Sequence, residues 1–170
     1  LLLHLALGSE APDAGEIRIG PSVSAGYYAQ EQETLDPEST PFETIVEVAA
    51  MSETDVRSFL HYFLFSGDEV FVPVSALSYG ERARLALARL VATGCNFLML
   101  DEPSLGIAPL IVKEIFKNIE RINKEQETTI LVVEQNASVA LKVAHRGYVM
   151  EGGEIRMSGS AETFLNDDRV

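Results

Sequence analysis

Hydrophobic positions along this chain switch between two rhythms, and the switches predict where helices give way to strands. Residues 1–7, LLLHLAL, read as the remainder of an apolar helix closed by Gly8, with no N-cap ahead of Leu1; that combination predicts further sequence upstream. After the turn Pro12-Asp13-Ala14-Gly15, residues 16–20 alternate like a strand, Gly20-Pro21 breaks it, and residues 23–29 continue as a second strand. A polar, proline-containing linker, 36–40, leads into Thr40-Pro41-Phe42-Glu43, a helix start with Thr40 as N-cap and Glu43 completing a capping box. Ser52-Glu53-Thr54-Asp55 starts a second helix, in which Val56, Phe59, Leu60 and Phe63 recur at helical spacing until Gly67-Asp68 ends it. Residues 36–74 are thus predicted as a helical insertion between sheet elements. Its aromatic residues Phe59, Tyr62, Phe63, Phe65 and Phe71 are expected to form its core, because base-stacking aromatics come with interleaved basic residues that are scarce here.

The second half repeats the scheme. Ser78-Tyr79-Gly80-Glu81 opens an apolar helix over 81–92, with Arg82, Arg84 and Arg89 expected on a solvated face. Phe97-Leu98-Met99-Leu100 reads as a buried strand that runs straight into Asp101-Glu102. A loop with Gly and Pro, 104–109, precedes an amphipathic helix marked by Ile111, Ile115, Ile119 and Ile122. Residues 128–133 read as a buried strand of the parallel type, followed by Glu134-Gln135-Asn136, with Asn136 placed to cap a short helix over 137–144. A hairpin, 147–151 and 154–157, turns on Gly152-Gly153, and Ser160 begins a last helix that stops near Asp167.

Composition narrows the class. With 170 residues, 46% hydrophobic and 23% charged, the chain has the make-up of one well-cored soluble domain. No apolar run approaches the roughly 20 residues needed to span a bilayer. The start LLLHLAL lacks the basic flank and cleavage site of a signal peptide. The single cysteine, Cys95, fits a reducing compartment and is expected as a small buried residue beside the strand. A formal charge of −13 argues against nucleic-acid binding by the surface as a whole, though a local basic patch stays compatible with it.

Two stretches carry candidate chemistry. In an open α/β sheet, ligands bind at the carboxyl ends of strands, so a strand ending on two carboxylates can hold a hydrated Mg²⁺ with the first and orient or deprotonate water with the second. Ser78 on a glycine turn at a helix N-terminus offers free N–H groups to an anion, although Ser78-x-x-Glu81 is equally a capping box that starts a helix.

In this order, LSYGERARLALARL followed by FLMLDEP resembles the signature and Walker B motifs of the ATP-binding cassette (ABC) ATPases. Residues 1–103 look like the second cassette of the ABC-F branch, on GYYAQEQETLD, MSETDVRSFLHYFLFSGDEVF and the signature helix. From Ser104 on, SLGIAPLIVKEIF, TTILVVEQNASVALKVAHRGYVMEGGEI and SGSAETFLND look like the ATPase subunit of branched-chain amino-acid importers. The switch falls at Asp101-Glu102-Pro103; both recombination and a misjoining of short sequence reads would produce it there.

The resemblance implies an α/β fold: a three-layer core of the P-loop NTPase type over 1–35 and 94–170, with a helical subdomain over 36–93. It implies ATP and Mg²⁺ as cofactors, Asp101 and Gln30 on the metal side, and Glu102 polarising the attacking water. Gln135 stands at the switch position, where many members carry histidine, and is assigned with Glu102 to catalysis. Ser78, Tyr79, Gly80 and Glu81 would bind ATP held mainly by a second cassette, with Tyr79 in place of the usual glycine crowding the phosphate-facing turn. The implied partners are that second cassette and either a ribosome or a membrane permease, and the implied location is the cytoplasm or the inner face of the inner membrane. The sequence G-x-x-x-x-G-K followed by Ser or Thr occurs nowhere in the chain. The chain is therefore expected to be a cassette clipped at its start, unable to bind or turn over ATP tightly by itself. It is also expected to expose apolar surface on 1–7 and on the sheet. The alternative is a cassette remnant acting as a noncatalytic binding module, or a chimeric or misjoined fragment without activity of its own.

Overall fold

The computed structural model describes residues 2–29 and 35–166. In chain order its elements are α1 (Leu2–Leu7), β1 (Ala25–Tyr28), α2 (Pro41–Val48), α3 (Glu53–Tyr62), α4 (Tyr79–Ala92), β2 (Phe97–Asp101), α5 (Pro109–Gln126), β3 (Thr129–Val133), α6 (Ala137–Ala140), β4 (Arg146–Glu151), β5 (Glu154–Ser160) and α7 (Ala161–Leu165). Short 3-10 turns, Gly67–Phe71 and Val74–Ala76, join α3 to α4.

The helices begin where the sequence provides caps. The Thr40 hydroxyl accepts the Glu43 N–H while the Glu43 carboxylate accepts the Thr40 N–H, so two otherwise orphaned donors at the start of α2 are satisfied. At the starts of α3 and α7 the cap is one-sided: the Ser52 hydroxyl accepts the Asp55 N–H and the Ser160 hydroxyl accepts the Thr163 N–H. Their apolar faces close over Ile45, Val56, Leu60, Phe63 and Phe65, all essentially inaccessible. Arg84 departs from the expected solvated face: it is buried, with its guanidinium 5.3 Å from the Phe65 ring centroid. Position 84 lies one helical step from the buried Ala83 and Leu85, and the α4 helix is enclosed on that side. Arg89 pairs loosely with Glu47 at 3.8 Å. Phe63 and Phe65 do join the core, but Tyr62 and Phe71 stay exposed and are covered by the cations of Arg121 and Arg57.

β1, β2 and β3 form a parallel sheet in that order, with Tyr27 opposite Met99 and Asp101 opposite Val133. β2 lies in the middle, so Leu98, Met99 and Leu100 are buried on both faces. β1 passes so close to Leu90 and Cys95 that a Cβ on Gly26 would sit 2.8 Å from the cysteine sulfur; Cys95 is buried beside the strand as expected. β4 and β5 form a separate antiparallel hairpin turning on Gly152 and Gly153, both at positive φ.

The structure corrects several expectations. Residues 16–20 form no strand, and the second expected strand, 23–29, is shortened to β1, which pairs in parallel with β2. The alternation at Ile17 and Ile19 finds no partner strand among the described residues, and both side chains remain about half exposed, as does Val23 to a lesser degree. β3, expected as a buried strand, is only half-buried, because among the described residues it has one neighbour in its sheet. α6 stops at Ala140 instead of running to 144. In α1, Leu2 is exposed as expected, but Leu3 is buried.

Candidate functional site

The carboxyl ends of β2 and β3 bring three predicted residues together. Asp101 is the last residue of β2, in register with Val133. Glu102 leaves the strand with φ of 46°, a left-handed conformation that costs a non-glycine residue about 1–2 kcal/mol. Its N–H still donates to the Val133 carbonyl at 2.9 Å, which holds the turn against β3. From the loop after β3, the Gln135 side-chain amide donates to Glu102 Oε1 at 2.8 Å. The catalytic candidates Glu102 and Gln135, distant by 33 positions, are thus one hydrogen-bonded pair.

Asp101 has a partner that the sequence reading missed. The Tyr27 hydroxyl, on the adjacent strand β1, donates to Asp101 Oδ2 at 3.1 Å and lies 3.4 Å from His4 Nε2 of α1. The His4 and Tyr27 rings meet edge to face at 5.7 Å. Burial pushes the Tyr27 phenol above its ordinary pKa, and the bond to Asp101 and the charge of that carboxylate push it the same way. The only sequence signal was a phenol on a strand; which carboxylate it meets depended on β1 lying beside β2.

Ser78, Tyr79, Gly80 and Glu81 form a second cluster at the start of α4. The Ser78 hydroxyl accepts the Glu81 N–H at 3.3 Å, and the Ser78 N–H donates to Glu81 Oε2 at 2.7 Å, the capping box read from the sequence. The Ser78 hydroxyl chiefly, then its N–H, hold the Glu81 carboxyl below its ordinary pKa; the charge of Arg84 adds to this and burial opposes it. Burial lowers the pKa of Arg84, against the charges of Glu81, Glu69 and Glu114. The turn stands on the segment that follows Glu102. A Cβ on Gly80 would lie 3.4 Å from the Ile111 side chain, and one on Gly106 would lie 3.6 Å from the Tyr79 ring. The bulk of Tyr79 is therefore accommodated within the chain against the Gly106 backbone, with the ring partly exposed. Gln30 lies outside the described residues.

The donor set fits a cation shared with phosphates better than a metal held by protein alone. Among the described residues no three His, Cys, Asp or Glu side chains gather as a metal site. Asp101 offers one carboxylate with one oxygen already engaged, which suits Mg²⁺, an ion commonly held by one or two carboxylates plus substrate phosphates. The phosphate cradle itself is not among these 170 residues. Among the described residues no helix is long and apolar enough to cross a membrane.

The ABC transporter family profile matches residues 1–105. The high-affinity branched-chain amino acid transport ATP-binding protein BraG of Pseudomonas aeruginosa is 44% identical over 94 residues, 55% of this chain and 40% of BraG. The ATP-binding protein Uup of Escherichia coli is 31% identical over 157 residues, 89% of this chain and 24% of Uup. The chain thus spans well under half the length of these relatives. In fold it matches cbiO1 from Clostridium perfringens, part of the ABC transporter complex cbiONQ, with a TM-score of 0.77 and 22% identity, over 97% of this chain and 74% of that one. With the profile match covering more than half of its residues, the chain belongs to the ABC transporter family.

Proposed function

We propose that this chain supplies the hydrolytic edge of an ATP-binding cassette. The observation that carries the reading is the Gln135–Glu102 hydrogen bond at the carboxyl end of the parallel sheet. Glu102 is the acceptor there and can polarise a water molecule and take its proton. Gln135, an amide, orients that carboxylate and can donate to an oxygen, but cannot carry the proton itself. Asp101, steadied by Tyr27, would help hold the cation. Mg²⁺, when bound with ATP, neutralises phosphate charge during transfer. Ser78, Tyr79, Gly80 and Glu81 serve the nucleotide of a second cassette, with Ser78 and Gly80 nearest its terminal phosphate and the N-terminus of α4 favouring negative charge. Gln30 belongs to the metal side by resemblance.

Hydrolysis then drives a partner from the cytoplasmic side. BraG, named for branched-chain amino acid transport, supports a membrane permease; the resemblance of residues 1–103 to the ABC-F branch supports a ribosome. Co-purification with a permease in detergent separates the first from the second, which predicts co-sedimentation with ribosomes.

The 170-residue chain alone is expected to show no tight Mg-ATP binding. With a phosphate-cradling segment joined ahead of it, turnover is expected, and Glu102→Gln should lower it about 10²–10³-fold while ATP binding persists. Undiminished turnover in that variant would remove Glu102 from the chemistry.

A further inference from the structure

One side chain ties the loop leaving β2 to the loop leaving β3. Glu134 Oε1 accepts the Ser104 N–H at 2.8 Å, and Oε2 accepts the Ser104 hydroxyl at 2.9 Å. The Asn136 N–H also points at Oε2, at 3.4 Å. Ser104 lies two residues beyond Glu102, and Glu134 immediately precedes Gln135. The Glu134–Ser104 contact and the Gln135–Glu102 bond therefore close a small ring across the two loops.

The ring answers a physical problem. Sheet pairing ends at Asp101 and Val133, and past it the Glu102 N–H to Val133 carbonyl bond fixes the start of the first loop but places neither the Glu102 nor the Gln135 side chain. Glu102 and Gln135 are long side chains with several free torsions, and Gln135 is exposed, so a bond between them alone must offset considerable rotamer entropy. Fixing both backbones first lowers that cost. A carboxylate suits the task because its two oxygens accept from an N–H and an O–H of one serine at once, whereas an amide offers a single acceptor oxygen.

We propose that Glu134 is a positioning residue, clamping the two loops so that Gln135 meets Glu102 in a fixed geometry. The proposal rests on the reading of Glu102 and Gln135 as the hydrolytic pair. The clamp itself can be tested without nucleotide, on the 170-residue chain, through the side-chain amide signals of Gln135 in NMR, assigned by their loss in Gln135→Ala. In Glu134→Ala these signals should shift toward those of a solvent-exposed amide. Ser104→Ala and Glu134→Gln should shift them in the same direction by less, and Ser104→Thr, which keeps the hydroxyl, should leave them in place. Ile122→Val, a core change on α5, should lower the melting temperature without moving them. If Glu134→Ala does not fold, Glu134→Gln and Ser104→Ala decide. Signals unmoved in those variants, or moved as far by Ile122→Val, would overturn the clamp. Retained hydrolysis in Glu102→Gln would instead overturn the catalytic reading and leave the clamp standing, so the two failures are separable.

Discussion

The helices between β1 and β2 and the sheet on either side of them hide apolar surface to very different degrees. Ile45, Val56 and Leu60 are wholly buried, and capping side chains fix where their helices begin. In the sheet only β2 reaches that state; β3 is half-buried, and Ile17 and Ile19 stand about half exposed. The apolar rhythm is as regular in 128–133 as in α3. A rhythm specifies which face is apolar, and burial follows only when a second element arrives to cover it.

That contrast can be broken most sharply in the two cores. Leu60→Ala should cost about 2–5 kcal/mol in urea unfolding, as expected for a fully enclosed leucine. Val132→Ala on β3 should cost about 1 kcal/mol, since that side chain is only partly buried at the edge of the core. Equal losses would mean that β3 is as well covered as α3.

Arg84 sharpens the same point from the polar side. Its Nε is buried without a hydrogen-bond partner among the described residues, while its guanidinium lies over Phe65. Arg84→Ala should cost about 2–3 kcal/mol through lost packing and the void left beside the ring. Arg84→Leu, which refills the space and removes the unsatisfied donor, should fall within about 1 kcal/mol of wild type. If both variants behave like the exposed Arg57→Ala, the burial of Arg84 contributes nothing.

A smaller effect is expected at the start of α4. Ser78→Ala should cost about 1 kcal/mol at neutral pH through loss of the cap. The pH dependence follows from Glu81, whose folded-state pKa is depressed by Ser78. Such a group adds stability above its unfolded pKa, near 4.5, and loses it as pH falls through the lower folded value. The urea midpoints of wild type and Ser78→Ala should therefore converge in acid, and a constant gap would show that the Glu81 contacts do not matter.

The smallest change in stability belongs to the uncovered stretch. Ile17→Ser with Ile19→Ser should alter unfolding free energy by no more than about 0.5 kcal/mol, because little packing is lost. Light scattering should nonetheless fall, since an exposed apolar patch favours association. A large loss of stability would show that these isoleucines are packed after all.

What the sequence determined by itself was local. Thr40, Ser52, Ser78 and Ser160 announce helix starts because capping is an interaction across three residues, and each cap is present. The strand ending in Asp101-Glu102 and the Gly152-Gly153 hairpin were legible for the same reason. The site was legible only in its members. That Gln135 bonds Glu102, that Tyr27 holds Asp101 and that Glu134 grips Ser104 depended on parallel strands setting residues about 30 to 74 positions apart side by side. Tertiary structure likewise decided that Arg84 is buried and β3 half-buried, because burial belongs to the pairing of elements and is not encoded in the periodicity of either one.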